Sequence, residues 1–167
     1  TVQVADGNGG TGTQAIAVTL RNVNEAPVIT SNGGGASANV AIAENQSAVA
    51  VVTSTDIDGG AAQYAIAGGA DAARFTIDAA AGTLRFASAP DFEAPSDADR
   101  DNVYELVVSV ADGNGGSDQQ TIAVAVSGVN EAPGNIAPAA IALTETARAG
   151  TVVAIVTASD PDAGDLF

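Results

Sequence analysis

The sequence has no cysteine and no histidine among its 167 residues, and it also lacks methionine and tryptophan. Without cysteine there are no thiol nucleophiles, disulfides or zinc fingers. Without histidine there is no Ser-His-Asp triad and no histidine-ligated transition metal. Aromatic residues are scarce, at four Phe and two Tyr. The chemistry that remains is that of carboxylate and amide oxygens, whose natural partners are hard cations.

Positive charge is nearly absent as well. Five arginines and no lysine stand against 20 acidic residues, and the net charge is −15. Binding along nucleic-acid phosphates requires a basic face, so that function is excluded. The same charge argues against electrostatic attachment to an anionic membrane. No apolar run is long enough to span a bilayer, and we expect no direct membrane insertion by this segment.

Two motifs occur twice at one offset. Val-Ala-Asp-Gly-Asn-Gly-Gly stands at residues 4–10 and again at 110–116, and Val-Asn-Glu-Ala-Pro stands at 23–27 and again at 129–133. Both pairs are 106 positions apart. Two unlinked motifs that share an offset indicate a tandem repeat, and a period near 100 residues suits an array of β domains.

The repeat divides the chain into three segments. We predict one complete repeat at residues 24–131, the C-terminal strands of a preceding repeat at 1–23, and the N-terminal strands of a following repeat at 132–167. The chain begins at Thr1 without a targeting signal, and we expect it to be an excerpt of a longer protein.

Strand patterns fill the complete repeat. Tyr104, Leu106, Val108 and Val110 alternate with more polar residues, which places four large side chains on one face of a strand. We expect Tyr104 to lie in the core with its hydroxyl bonded to nearby backbone. Seven candidate strands are bounded by Gly, Asp or Pro: 40–42, 49–53, 64–66, 75–77, 83–86, 104–110 and 122–126. This spacing predicts an all-β protein with a β-sandwich.

One acidic loop allows two interpretations. Asp97, Asp99 and Asp101 have the alternate spacing of a calcium-binding loop. However, an EF-hand requires Gly where Asn102 stands and Glu where Val108 stands, so an EF-hand is excluded. A solvated acidic loop is the favoured interpretation, and a metal site is the alternative.

The order of several motifs resembles the cadherin repeat. They are Phe-Thr-Ile-Asp at 75–78, Gly-Thr-Leu at 82–84, Asp-Phe-Glu at 91–93, Tyr-Glu-Leu-Val-Val at 104–108, Asp-Gly at 112–113 and the linker at 129–133. The acidic run at 91–102 is similar to that of the cadherin-like repeats in large secreted bacterial surface proteins, of adhesin and biofilm-associated type. The resemblance implies a seven-stranded Greek-key, immunoglobulin-like sandwich of cadherin type, strung end to end with Ca²⁺ at each junction between repeats.

Carried onto this chain, the resemblance implies two sets of calcium ligands. The junction after the complete repeat would use Glu44, Asp91, Glu93, Asn130, Glu131, Asp160 and Asp162. The junction before it would use Asn24, Glu25, Asp56, Asp58 and Asp112, with partners from the preceding repeat. Asp6 would serve a further junction upstream. A calcium ion requires six to eight oxygens, and a site shared between two domains reaches that number more readily than a single loop does.

The linkers depart from the animal cadherin pattern Asp-x-Asn-Asp-Asn-x-Pro. Arg21 and Ser127 stand where that pattern has its first Asp, and Asn24 and Asn130 stand where it has its central Asp. Because fewer charged ligands bind fewer or weaker ions, we expect one to three ions at each junction. Affinities typical of extracellular modules are on the order of 10⁻⁴–10⁻³ M.

The favoured functional hypothesis is a calcium-binding structural repeat of a bacterial cell-surface or secreted adhesin. Calcium at the junctions would stiffen a rod that mediates cell adhesion outside the cell, as part of a membrane-associated parent protein, with neighbouring repeats as partners. The alternative is a sandwich that binds surface carbohydrate or a homotypic partner, although sugar-binding faces usually expose aromatic rings. We expect no enzymatic activity, because no nucleophile–base pair with His or Cys is available and the acidic pairs fall at junctions or in loops.

Overall fold

The computed structural model describes residues 1–137, 141–142, 145 and 147–162. Part of the predicted following repeat, at 138–140, 143–144, 146 and 163–167, therefore lies outside the described residues. The strands are β1 (Val2–Ala5), β2 (Thr11–Gln14), β3 (Val28–Ile29), β4 (Ser37–Ala43), β5 (Ala48–Val51), β6 (Ser54–Thr55), β7 (Gln63–Gly68), β8 (Phe75–Ile77), β9 (Thr83–Phe86), β10 (Val103–Ala111), β11 (Ser117–Ser127), β12 (Gly134–Ala137) and β13 (Thr157–Ser159). Short 3₁₀ turns lie at Ser31–Gly33 and Ala72–Arg74.

Two sheets form the sandwich of the complete repeat. One sheet has four strands in the order β4-β11-β10-β7, and the other has three in the order β5-β9-β8. Neighbours such as β4 and β11, or β7 and β10, are distant in sequence, which is the connectivity of a Greek key. These seven strands overlap the seven predicted ones, and the predicted all-β sandwich is confirmed.

The first strand of the sandwich is divided into two strands, β3 and β4, with different pairing partners. β3 pairs antiparallel with β6, whereas β4 pairs in parallel with β11 over seven residue pairs from Ser37 to Ala43. The β3–β6 pair was not predicted, because two-residue strands are too short to show an alternating pattern.

The core lies between the two sheets. The predicted inward face of β10 is confirmed, since Tyr104, Leu106, Val108 and Val110 are each fully buried. The ring of Tyr104 packs edge-on against Phe86, with ring centroids 4.9 Å apart. Its hydroxyl accepts a hydrogen bond from the backbone N–H of Ser96 at 3.1 Å, as expected for a core tyrosine.

The two copies of the repeated Asp-Gly-Asn-Gly-Gly motif form the same turn. The Oδ1 atom of Asp112 accepts from the amides of Asn114 and Gly116, and Oδ1 of Asp6 accepts from those of Asn8 and Gly10. The turn therefore depends on an aspartate that caps its own loop.

The segments on either side of the sandwich form small hairpins. β1 pairs with β2 and β12 with β13, and every residue of β1 and β2 is exposed. None of the buried hydrophobic core of the described residues comes from these hairpins. Among the described residues there is no helix whose length and apolarity would allow it to cross a bilayer.

Candidate metal centres at the two ends of the sandwich

Three carboxylates meet at the end of the sandwich where the chain leaves it. We call Glu44, Asp91 and Glu93 the downstream cluster; one carboxylate oxygen from each lies within 4.8 Å of the others. Glu44 directly follows β4, and Asp91 and Glu93 lie in the long loop between β9 and β10. Glu44 is only 2% exposed, whereas the other two side chains are exposed. The cluster is thus a surface feature built on one buried anchor.

Backbone amides fix the carboxylate of Glu44. Its Oε2 accepts from the N–H of Phe92 at 2.8 Å, and its Oε1 accepts from the N–H of Val129 at 2.7 Å. The first bond ties the acidic loop to Glu44, and the second ties the start of the linker to it. Because each carboxylate oxygen can accept more than one bond, Glu44 keeps capacity for a cation.

The linker extends the cluster toward the following segment. The N–H of Glu131 donates to Oδ2 of Asp162 at 2.6 Å, and the N–H of Asp162 donates to Oδ1 of Asp160 at 3.0 Å. Oε1 of Glu131 accepts from the side-chain amide of Asn45 at 3.1 Å. The side chain of Asn130 donates to the carbonyl of Glu131 at 3.0 Å. Linker, sandwich and following segment are therefore joined through carboxylates.

Neighbouring carboxylates affect the pKa of Glu93. Desolvation raises the pKa of Glu93 above its ordinary value, and the charges of Glu44, Asp162 and Glu131 raise it further. Glu93 thus lies within electrostatic range of acidic groups from the sandwich, the linker and the following segment. A group of carboxylates that repel one another is the arrangement that a divalent cation stabilises.

Asp160 gives a further indication that the downstream end fits a cation. Its Oδ2 is buried and has no hydrogen-bond partner among the described residues. Buried polar atoms are almost always paired, so such an oxygen marks a place where a ligand would be expected. With only oxygen donors present, a hard cation such as Ca²⁺ suits the site.

The opposite end of the sandwich receives the preceding linker. We call Asn24, Glu25, Asp56, Asp58 and Asp112 the upstream cluster. Oδ2 of Asp58 accepts from the N–H of Glu25 at 2.7 Å, and Oδ1 of Asp56 accepts from the N–H of Asp58 at 2.8 Å. Oδ2 of Asp112 accepts from the side-chain amide of Asn24 at 2.7 Å.

Hydrogen bonds from the linker set the charge state of this end. The pKa of Asp58 is lowered, first by the backbone N–H of Glu25 and then by the side chain of Asn22, which donates to Oδ1 of Asp58. The pKa of Asp112 is lowered, first by the side chain of Asn24. The side chain of Asp58 raises the pKa of Glu25. Both aspartates are thereby held in the charged form that a cation requires.

The two ends differ in how tightly their acids are grouped. Among the described residues, the upstream end has no three carboxylate oxygens within 4.8 Å of one another, in contrast to the downstream cluster. Asp58 and Asp112 are instead occupied by hydrogen bonds from the linker. The structure therefore brings the predicted upstream residues onto one end of the sandwich without forming a compact acidic site.

The roles of two asparagines at these ends were not predicted from the sequence. Asn22 binds Asp58, and Asn45 binds Glu131. The repeat gave no signal for Asn22, because the position 106 residues later is Gly128. Asn45 has a positive φ of 62°, a conformation that Asn tolerates better than most residues, but its contact with the linker is visible only in three dimensions.

Fold and ends together define a β-sandwich repeat module with acidic groups facing the linkers. The chain belongs to the cadherin domain family: the family model for the cadherin domain matches residues 38–127, more than half of the sequence. Cadherin domains are extracellular structural modules of adhesion proteins that typically bind calcium, and they are not enzymes.

Solved cadherin structures share the fold. Drosophila N-cadherin EC1-4 is 26% identical, with a TM-score of 0.56, over 84% of this chain and 35% of that chain. Human Protocadherin-24 EC1-2 Form II is 26% identical, with a TM-score of 0.55, over 86% and 62%. Mouse Cadherin-23 EC22-24 has a TM-score of 0.57 at 18% identity, over 84% and 46%, and it supports the fold alone. The chain thus spans between about a third and three-fifths of these structures.

Proposed function

We propose that this chain is a calcium-binding structural repeat of a bacterial cell-surface or secreted adhesin, in which calcium at the junctions stiffens a rod that mediates cell adhesion. The observation that carries the proposal is the downstream cluster of Glu44, Asp91 and Glu93, together with Glu131, whose N–H donates to Oδ2 of Asp162 at 2.6 Å. These carboxylates belong to the sandwich, the linker and the following segment. Whatever neutralises them also fixes the linker relative to the sandwich.

Hydrogen bonds within the chain hold the acidic loop and the linker in place at the junction. Glu44 is held by the amides of Phe92 and Val129, so the acidic loop and the linker start from fixed positions. Asp91 and Glu93 are exposed, and Oδ1 of Asp91 accepts from the N–H of Ala94 at 3.0 Å, which leaves its other carboxylate oxygen open to a cation. Bound Ca²⁺ would supply the positive charge that these carboxylates lack. Without it, repulsion among them favours a linker that bends away from the sandwich.

The bacterial and extracellular parts of the proposal rest on sequence. The acidic run at 91–102 resembles that of bacterial surface proteins, and a chain without cysteine needs no oxidising compartment to fold. The partners proposed are the neighbouring repeats of the same, membrane-associated protein, together with homotypic contacts between copies. The whole protein's target stays outside the proposal.

The alternative of carbohydrate recognition has less support. Tyr64, Phe75, Phe86 and Tyr104 all lie in the buried core, where they cannot stack on a sugar. Phe92 is 37% exposed, but it lies against Gly128, where an added Cβ would meet the ring at 3.0 Å. The described residues therefore offer little aromatic surface to a sugar.

Thermal unfolding with calcium or with EDTA tests the proposal. At about 10 mM CaCl₂ and affinities of about 10⁻⁴–10⁻³ M, calcium should stabilise the domain by about 1–3 kcal/mol and raise Tm by about 5–15 °C. The Asp91→Asn/Glu93→Gln variant should lose the part of this increase that comes from the junction site. A calcium titration by NMR should also shift the amide signals of Phe92 and Val129, which donate to Glu44.

The matched control is Asp99→Asn/Asp101→Asn, which removes two exposed carboxylates from the same loop but outside the downstream cluster. In that variant the amides of Phe92 and Val129 should still respond to calcium. Unchanged amide signals at Phe92 and Val129 in the original chain would refute a downstream calcium site.

A further inference from the structure

A second acidic cluster lies in the loop between β9 and β10. We call Asp97, Asp99 and Asp101 the loop cluster; one carboxylate oxygen from each lies within 4.8 Å of the others. It shares no residue with the downstream cluster. The sequence alone favoured a solvated loop here. The structure differs from that expectation, because Asp97 is only 5% exposed while Asp99 and Asp101 face solvent.

The buried carboxylate of Asp97 is only half satisfied. Its Oδ2 accepts from the backbone N–H of Asp101 at 2.7 Å. Its Oδ1 is buried and has no hydrogen-bond partner among the described residues. Leaving a charged oxygen buried and unpaired costs more than leaving a neutral group unpaired. Two further carboxylates stand beside it, so a positively charged partner would suit this oxygen.

The loop is held in place from outside the cluster. Asp71 is 5% exposed, and its two carboxylate oxygens accept from the amides of Ala98 and Glu105, each at 2.8 Å. Oδ1 of Asp101 accepts from the N–H of Val103 at 2.8 Å. These bonds fix the backbone on both sides of Asp99, so the three aspartates are brought together before any ligand binds.

The charges in the loop act in the same direction. The neighbouring charge of Asp101 raises the pKa of Asp99 above its ordinary value, with burial as the next cause. Repulsion of this kind disappears when a cation lies between the carboxylates. It supports the geometric argument from Asp97.

We propose that the loop cluster is a calcium site internal to the sandwich, with Oδ1 of Asp97 and one carboxylate oxygen each of Asp99 and Asp101 as protein ligands. Water and backbone carbonyls would complete the coordination. Three carboxylates, two of them on exposed and adjustable side chains, suit the larger and more flexible coordination of Ca²⁺ better than the strict octahedron of Mg²⁺. Because all three ligands come from one loop, the site does not depend on a neighbouring repeat or on the junction proposal.

Amide chemical shifts of the isotopically labelled, EDTA-treated chain test the site. CaCl₂ should cause saturable shifts at the amides of residues 98–102, and MgCl₂ at the same concentration should cause smaller ones. The shifts should persist in Asp91→Asn/Glu93→Gln. They should be lost in Asp99→Asn/Asp101→Asn, or require at least about tenfold more calcium, because two charged ligands are gone.

Each result decides between the two proposals. Shifts at 98–102 without shifts at Phe92 and Val129 support the loop site and overturn the junction site. The reverse pattern overturns the loop site and leaves the junction standing. Equal calcium shifts at 98–102 in the original chain and in Asp99→Asn/Asp101→Asn also overturn the loop site. Thermal unfolding in EDTA checks that both double variants fold, and the single variant Asp99→Asn, at an exposed position, replaces the second if it does not.

Discussion

Asn24 donates a hydrogen bond from its side-chain Nδ2 to Oδ2 of Asp112 at 2.7 Å, although the two residues are 88 positions apart in the chain. Asn24 belongs to the linker before the sandwich, and Asp112 begins the turn between β10 and β11. The bond therefore holds the linker against the turn between β10 and β11. The equivalent turn aspartate of the upstream hairpin, Asp6, is bound by the amides of its own loop, Asn8 and Gly10.

Replacing Asn24 by Ala should raise the pKa of Asp112 toward its ordinary value of 3.8, because the largest stabilisation of its charged form is lost. The pKa of Asp6, which is lowered by Asn8 and Gly10, should stay unchanged and serves as the internal control. Carboxyl carbon chemical shifts measured against pH report both groups.

This change also has a consequence for acid stability. A carboxyl whose pKa is lowered on folding contributes stability above its unfolded pKa, and that contribution is lost as the pH falls through the lowered value. Below about pH 3.8, the original chain should therefore lose stability more steeply than Asn24→Ala in EDTA. Equal slopes in urea unfolding experiments would contradict the assigned role of Asn24.

Glu93→Gln should stabilise the calcium-free protein at pH 7 and reduce its response to calcium. The pKa of Glu93 is raised in the fold, so its charge lowers stability at neutral pH, and stability is regained as the pH falls toward 4.5. In EDTA the melting temperature of Glu93→Gln should be higher than that of the original chain at pH 7, with the difference shrinking at acid pH.

Asp78→Asn should change stability in the direction opposite to Glu93→Gln. The amides of Ala81 and Ala80 lower the pKa of Asp78, so removal of its charge should destabilise the protein at pH 7. The same sign for both variants would argue against repulsion as the cause at Glu93.

Glu44→Gln should destabilise the protein by about 1–3 kcal/mol in EDTA, since a buried acceptor of two backbone N–H bonds becomes a side chain with one acceptor and one donor group. Glu105→Gln, at an exposed position of β10, is the matched control and should change stability by no more than about 0.5 kcal/mol. Urea unfolding measures both. A loss as small as that of the control would mean that Glu44 does not anchor the loop and the linker.

Gly116→Ala should destabilise the region where the linker meets the β10–β11 turn. A Cβ at Gly116 would overlap the carboxylate of Asp112 and would lie 2.7 Å from the Cα of Ala26. Overpacking of this kind typically costs about 1–3 kcal/mol. Gly68→Ala is the control, because a Cβ there meets no atom within 4 Å. Urea unfolding should show a lower free energy of unfolding for Gly116→Ala than for Gly68→Ala.

Most of the fold could be predicted because alternating apolar and polar residues indicate a strand with one buried face. The face of β10 from Tyr104 to Val110 is an example, and so is the duplicated turn at Asp112. The convergence of Glu44 with Glu93 followed from the family resemblance, since the two lie 49 positions apart in the chain. No local pattern could have joined them.

What could not be predicted depends on contacts distant in sequence or on burial within a loop. Asp97 and Asp99 look equivalent in the sequence, yet only Asp97 is buried. The difference arises because Asp71, 27 positions before Ala98, binds the backbone of that loop. Asn45 likewise became part of the downstream end only through its bond to Glu131.

The parallel pairing of β4 with β11 determines how the domain would respond to mechanical force. Since both strands run in the same direction, the chain enters the ladder at one end of the sandwich and leaves it at the other. Tension applied between the two linkers would pull β4 and β11 past each other along their length. The seven pairs from Ser37–Thr121 to Ala43–Ser127 would then resist in shear together, instead of opening one after another as in a hairpin pulled from its ends.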